Sequence, residues 1–233
     1  DSSNILYSKG CEIKSDDKSK FDEAIYIAKK ADKIVLVMGE DYNMSGEAAS
    51  RTNIHIPGVQ TELIKALRQA LPRKKIILLL MNGRPLDLST EDDLVDSILE
   101  IWFPGTSGGL GVADVLFGTY NPSGKLPITF PRNIGQVPIY YNIKNTGRPV
   151  PVENPKEDYK SNYIDSPNTP LYSFGHGLSY TTFKYSEISL SSNLISPTDS
   201  ILVSVDITNS GNYDGHEVVQ LYVHDKVGSI TRP

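Results

Sequence analysis

Glu40, Asp41, Glu47 and Arg51 fall within one short polar run, GEDYNMSGEAASR, at residues 39–51. Carboxyl groups so placed can accept or donate protons, and an arginine among them can fix one in position. Glu47 has the most room to act. Gly46 precedes it and Ala48 and Ala49 follow it, so its carboxyl is the one reaching group on that stretch. A general acid working near neutral pH needs a pKa raised by burial or by a nearby anion. Glu47 would gain that if another protein surface closed over it. The plainer alternative is a solvated loop carboxylate, and spacing alone favours that alternative. Glu40 follows an apolar run directly, so its position is more fixed. It suits an ion pair with Arg51, the orienting of a loop residue, or a hydrogen bond to a sugar hydroxyl, and the ion pair is the simplest of the three. Arg51 is equally suited to clamp the loop through backbone carbonyls.

Other constellations are weaker. No Cys/His cluster or acidic repeat has metal-ligand spacing, and no metal or cofactor is expected. Gly105-Thr106-Ser107-Gly108-Gly109 stands at a helix start and would suit an anion. It lacks the spacing of a phosphate loop or dinucleotide fingerprint, and tight packing is the simpler reason for its glycines. No serine sits in a Gly-x-Ser-x-Gly elbow.

The elements that position the polar run follow from periodicity. Lys33–Met38 reads as a buried strand that ends at Gly39. Open α/β sheets place ligands beyond the carboxyl ends of such strands. Residues 5–8 read as a short strand. Phe21, Ala24, Ile25, Ile27 and Ala28 have helical spacing. Ile56-Pro57-Gly58 opens a second helix with Val59, Leu63, Ile64, Ala66, Leu67 and Leu71 on one face, stopped by Pro72. Lys75–Met81 is a continuous apolar strand of the kind covered on both faces. A short helix near 90–94 leads to a strand over Ser97–Phe103, and a helix runs on to Phe117. Alternating strand and helix gives an α/β fold: a three-layer α/β/α sandwich with a mostly parallel sheet. From about residue 132 the periodicity fades into a segment rich in proline and asparagine. Phe183–Leu190, Ser200–Thr208 and Glu217–His224 then alternate apolar and polar positions, as antiparallel sandwich strands do. A full sandwich of this type needs about seven strands, so this one is partial. The expected divisions are an α/β sandwich domain over 1–131 lacking its first strand, an irregular connecting segment packed on it over 132–182, and an incomplete fibronectin type III-like domain over 183–233.

The chain has 233 residues, 39% hydrophobic and 22% charged, with a net charge of −5. These values allow a packed core and argue against nucleic acid or an anionic membrane as partner. No apolar run approaches the ~18 residues of a membrane span. The single cysteine, Cys11, precludes an internal disulfide. Thirteen tyrosines against six phenylalanines suit domain interfaces and sugar clefts.

Several motifs in order carry a resemblance. They are Gly39-Glu40, Gly46-Glu47-Ala48-Ala49-Ser50-Arg51-Thr52, Ile56-Pro57-Gly58 with Gln60, NGRPL at 82–86, WFPGTSGG at 102–109, DVLFG at 114–118, YNPSGKLP at 120–127, TFPR at 129–132, PLY at 170–172 and FGHGLSYT at 174–181. Together they resemble the C-terminal half of glycoside hydrolase family 3 enzymes of the β-glucosidase and β-xylosidase type. The resemblance implies a retaining, exo-acting β-glycosidase that releases terminal β-D-glucosyl residues. It implies a nucleophilic aspartate on an N-terminal barrel that this chain does not contain. The general acid/base would come from a sandwich-domain loop, where Glu47 before Ser50-Arg51 matches the family pattern. Glu40, Met44 and Arg51 take substrate-binding or supporting parts. The implied partners are a β-linked oligosaccharide or aryl glycoside and the missing barrel. The implied location is the periplasm or the medium. The chain alone is then expected to be inactive and to self-associate through exposed sheet edges. A second reading, from the residues themselves, is a non-catalytic carbohydrate-binding or scaffold module. A third, a nucleotide-binding flavodoxin-like domain, has only the fold type in its favour.

Overall fold

A computed structural model describes residues 4–144, 147–150 and 157–230. Its α/β part runs α1 (Phe21–Lys30), β1 (Lys33–Gly39), α2 (Gln60–Ala70), β2 (Lys75–Met81), α3 (Ser89–Leu94), β3 (Ser97–Glu100) and α4 (Gly108–Leu116). The three strands form one parallel sheet in the order β1-β2-β3. Asp22 and Glu23 in the first turn of α1, and Lys29 and Lys30 in its last, complement the helix dipole. In α2, Leu63, Ile64 and Leu67 are spaced to share one face, and each is at most 3% exposed.

The core lies on one side of the sheet. Ile34 and Met38 of β1 and Ile76, Leu78 and Leu80 of β2 meet Ala28 of α1 and Leu63, Ile64 and Leu67 of α2. Ile56, Leu86, Leu88 and Phe130 complete it, while α4 adds no residue. The other side is barely covered at β1, where Val35 is 45% and Val37 62% exposed. The strand read as buried is therefore buried on one face only.

Three further readings need correction. Residues 5–8 form no strand. Ile5, Leu6 and Tyr7 are exposed, and no strand lies alongside them among the described residues. The third strand ends at Glu100, not Phe103. Trp102 has a φ of 49°, which breaks the extended course. Glu217–His224 is not a strand either. Among the described residues the C-terminal part holds two short antiparallel pairs, β4 (Phe183–Tyr185) with β7 (Ile207–Asn209), and β5 (Ser189–Leu190) with β6 (Val203–Ser204).

Between the two parts, the described residues of 132–182 carry one 3-10 turn, Ile134–Gln136, and isolated bridges from Phe130 to Tyr172 and from Pro149 to Ser161. Residues 145–146 and 151–156 of that segment lie outside the described residues, as do 1–3 and 231–233 at the ends. Aromatic rings tie the segment to its neighbours. Tyr172 contacts Phe130 at 6.2 Å, and Tyr141 stacks on Phe174 at 4.5 Å and meets Tyr222 at 5.8 Å. Lys125 pairs with Glu217 at 3.4 Å across the same junction.

Candidate active site

The parallel register sets the site. Gly39 lies opposite Met81, so β1 and β2 end side by side and their following loops emerge together. Gly39 has a φ of 134°, and a Cβ there would lie 1.9 Å from the Met81 carbonyl oxygen. Only glycine allows this exit. The buried Gln60 side chain pins the same point. It accepts from the Gly39 N–H at 2.9 Å and donates to the carbonyls of Gly39 at 2.8 Å and Pro57 at 2.9 Å.

Beyond Gly39, Glu40 turns inward. Its side chain is fully buried and accepts from Arg51 Nη1 at 2.6 Å. Arg84 Nε lies 3.1 Å from the same Oε1, close enough for charge pairing though not aligned as a hydrogen bond. Its other oxygen, Oε2, accepts from the Gly83 N–H at 3.3 Å. A buried carboxylate with two guanidinium groups is compensated, and removing it would strand both.

The arginines then hold the loop. Arg51 Nη2 donates to the His55 carbonyl at 3.1 Å. Arg84 Nη2 donates to the carbonyls of Met44 and Ala49, the latter at 2.7 Å. Ser45 Oγ donates to the Gly83 carbonyl at 3.2 Å. Asp41 caps the 3-10 turn Tyr42–Met44 by accepting from the Asn43 N–H. Its carboxyl is held below the usual range, first by its hydrogen bond with Lys14.

Glu47 stands at the tip. Gly46 and Ala48 on either side have φ of 112° and 57°, and the Ala49 N–H donates to the Gly46 carbonyl at 3.2 Å. Glu47 is exposed, and no hydrogen bond or ion pair reaches its carboxyl among the described residues. It is a free carboxyl on a tethered turn, aimed outward. Met44 enters the network through its backbone carbonyl.

The structure thus places Glu40, Met44 and Arg51 in one network beneath Glu47. Arg84, Gly83, Ser45 and Gln60 belong to it and were not singled out from the sequence. The signal for Arg84 was its place on the turn that follows the apolar strand Lys75–Met81, as the polar run follows Lys33–Gly39. Phe103 also belongs to this edge. A Cβ on Gly83 would come within 3.0 Å of its ring and 2.1 Å of Ser45 Oγ. His55, by contrast, is exposed, with Nδ1 3.6 Å from Asp87.

The profile of the Glycosyl hydrolase family 3 C-terminal domain matches residues 4–180. The chain belongs to glycoside hydrolase family 3. Its family 3 relatives include the periplasmic beta-glucosidase of Salmonella typhimurium, 47% identical across 100% of this chain and 33% of its own length. A beta-xylosidase of Formosa agariphila is 43% identical, over 98% of this chain and 30% of its own length. Among solved family 3 structures, the beta-glucosidase from Listeria innocua in complex with gluconolactone superposes with a TM-score of 0.89 at 39% identity, covering 96% of this chain and 30% of its own. The chain therefore spans about a third of the length of these relatives.

Proposed function

We propose that this chain supplies the general acid/base of a retaining, exo-acting β-glycosidase of the β-glucosidase type, and that Glu47 is that residue. The observation that carries the reading is the free Glu47 carboxyl on a turn anchored at both shoulders, at the carboxyl end of a family 3 sheet. A retaining site needs its two carboxyl groups about 5 Å apart. In this reading the nucleophile belongs to a separate domain, an N-terminal barrel, which closes over the loop. Closure would take Glu47 out of bulk water and into the assembled cleft. Glu47 then protonates the leaving oxygen and later takes a proton from the attacking water. Glu40 and Arg51 hold the loop, and Met44 contributes to its shoulder. The substrate is a β-linked oligosaccharide or aryl glycoside with a terminal glucosyl unit. Outside the cytoplasm, in the periplasm or medium, is the proposed place of work, since one relative is named periplasmic.

By itself the chain should hydrolyse nothing. The test uses a chimera in which it replaces the matching third of the relative that is 47% identical. Glu47→Ala in that host should lose about 100-fold or more in kcat/KM on substrates that need acid assistance, in line with general acid catalysis. Azide should rescue its turnover of an activated aryl glucoside. An unaffected variant would remove Glu47 from the role. Turnover by the isolated chain would overturn the separate nucleophile, and tight cellobiose binding by the isolated chain would favour a carbohydrate-binding module instead, since half a cleft should bind weakly.

A further inference from the structure

We propose that Arg84 is a positioning residue for Glu47, the strut that fixes the loop tip against the core; this rests on the acid/base reading of Glu47. Arg84 lies outside the loop, on the turn after β2. Its Nη2 donates to the carbonyls of Met44 and Ala49, one on each side of the Gly46-Glu47-Ala48 tip. Its Nε lies 3.1 Å from Glu40 Oε1, and its side chain is only 19% exposed. One guanidinium therefore joins both shoulders of the tip to a buried carboxylate.

The tip needs that hold. Gly46 and Ala48 both occupy left-handed backbone, and for alanine this is unfavourable by about 1 kcal/mol or more. Nothing contacts a Cβ built at Gly46 within 4 Å, so packing does not restrain the tip. The turn's own closure is a single backbone hydrogen bond, Ala49 N–H to Gly46 carbonyl. Arg51 ties the loop's entry at Glu40 to its exit at the His55 carbonyl and donates to neither shoulder of the tip. Remove Arg84, and the Met44 and Ala49 carbonyls lose the donor they share, which leaves the Ser45 Oγ bond to the Gly83 carbonyl as the side-chain tie beside the strained turn. A displacement of about 1 Å in a reacting group can cost about 100-fold in rate. The planar fork also explains why arginine stands here. A lysine ammonium is a point charge on a flexible stem and would not span two carbonyls and a carboxylate with the same geometry.

Two measurements test the proposal, and the first needs no activity. In the isolated chain, backbone order parameters of residues 44–50 should fall in Arg84→Gln from about 0.85 to below about 0.6, while those of β2 hold. An unchanged loop overturns the proposal, and so does a general loss of order, which would make Arg84 merely structural. The second uses the chimera and compares kcat/KM, which reports the first chemical step, on an alkyl glucoside and a dinitrophenyl glucoside. The alkyl leaving group needs a proton and the dinitrophenolate does not. Arg84→Gln should lose about 100-fold on the first and only a few-fold on the second, with Arg84→Lys between. Equal losses on both, or none, overturn the positioning role. Glu47→Ala is run beside it. If that variant shows no leaving-group dependence, the acid/base reading fails, whatever Arg84 does.

Discussion

Glu100 ends β3 with its carboxyl largely buried, and burial pushes its pKa up from 4.5 to about 7. The Trp102 N–H donates to one oxygen at 2.9 Å. The other oxygen finds no partner among the described residues, and burial favours the protonated form. Because the folded pKa is the higher one, the folded state holds this proton more tightly. That stabilisation is complete below the unfolded pKa and is lost as pH rises through about 7. The difference corresponds to about 3 kcal/mol. Asp96 does not blur the window. Lys75 first, then the Ile76 N–H and Arg68, hold its carboxyl well below the usual range. Urea unfolding at pH 5 and pH 8 should show the native chain weaker at pH 8. Glu100→Gln should flatten that slope and gain up to about 3 kcal/mol at pH 8. A variant that keeps the native slope would exclude Glu100 as its source.

Among the elements, the end of β1 is the most constrained point beneath the site. Gly39→Ala would place a methyl 1.9 Å from the Met81 carbonyl oxygen, in backbone that L-residues rarely adopt. The strands would have to part where both site loops begin. A loss of about 3 kcal/mol or more is expected in denaturant unfolding, since large single-site losses come from strain and overpacking of this kind. A loss under about 1 kcal/mol would mean the β1–β2 register yields easily. The same region separates what was legible in the sequence from what was not. α2 and β2 were legible because apolar spacing in Val59–Leu67 and Lys75–Met81 belongs to each element alone. Residues 5–8 and 217–224 have strand-like composition, but a strand exists only with a neighbour, and no ladder joins them. Glu47 was legible as a reaching carboxyl, and the structure leaves it exposed at the loop tip. Arg84 was not, because only the pairing of Gly39 with Met81 brings the two loops together.

At the scale of the whole chain, apolar surface is left without a cover. Val35 and Val37 face out from β1 at 45% and 62% exposure, and Leu221, Val223 and Val227 are exposed near the C-terminal end. The complementary apolar surface available to the isolated chain is a second copy. Fully burying an exposed valine side chain contributes about 1.5–3 kcal/mol, and Val35 and Val37 are already about half buried, so each adds about half of that and the pairing expected is weak. β1 is also an edge strand, which adds unpaired backbone groups to the attraction. Sedimentation velocity should therefore show mass rising with concentration between about 1 and 100 μM, the range in which exposed apolar faces associate. The double variant Val35→Lys, Val37→Lys should shift that rise to higher concentration, with its circular dichroism unchanged. Both positions point away from the core, so the variant should fold. A native chain that stays monomeric throughout would show that the bare face of β1 does not recruit a second copy. A double variant that associates as before would move the contact to the C-terminal ribbons.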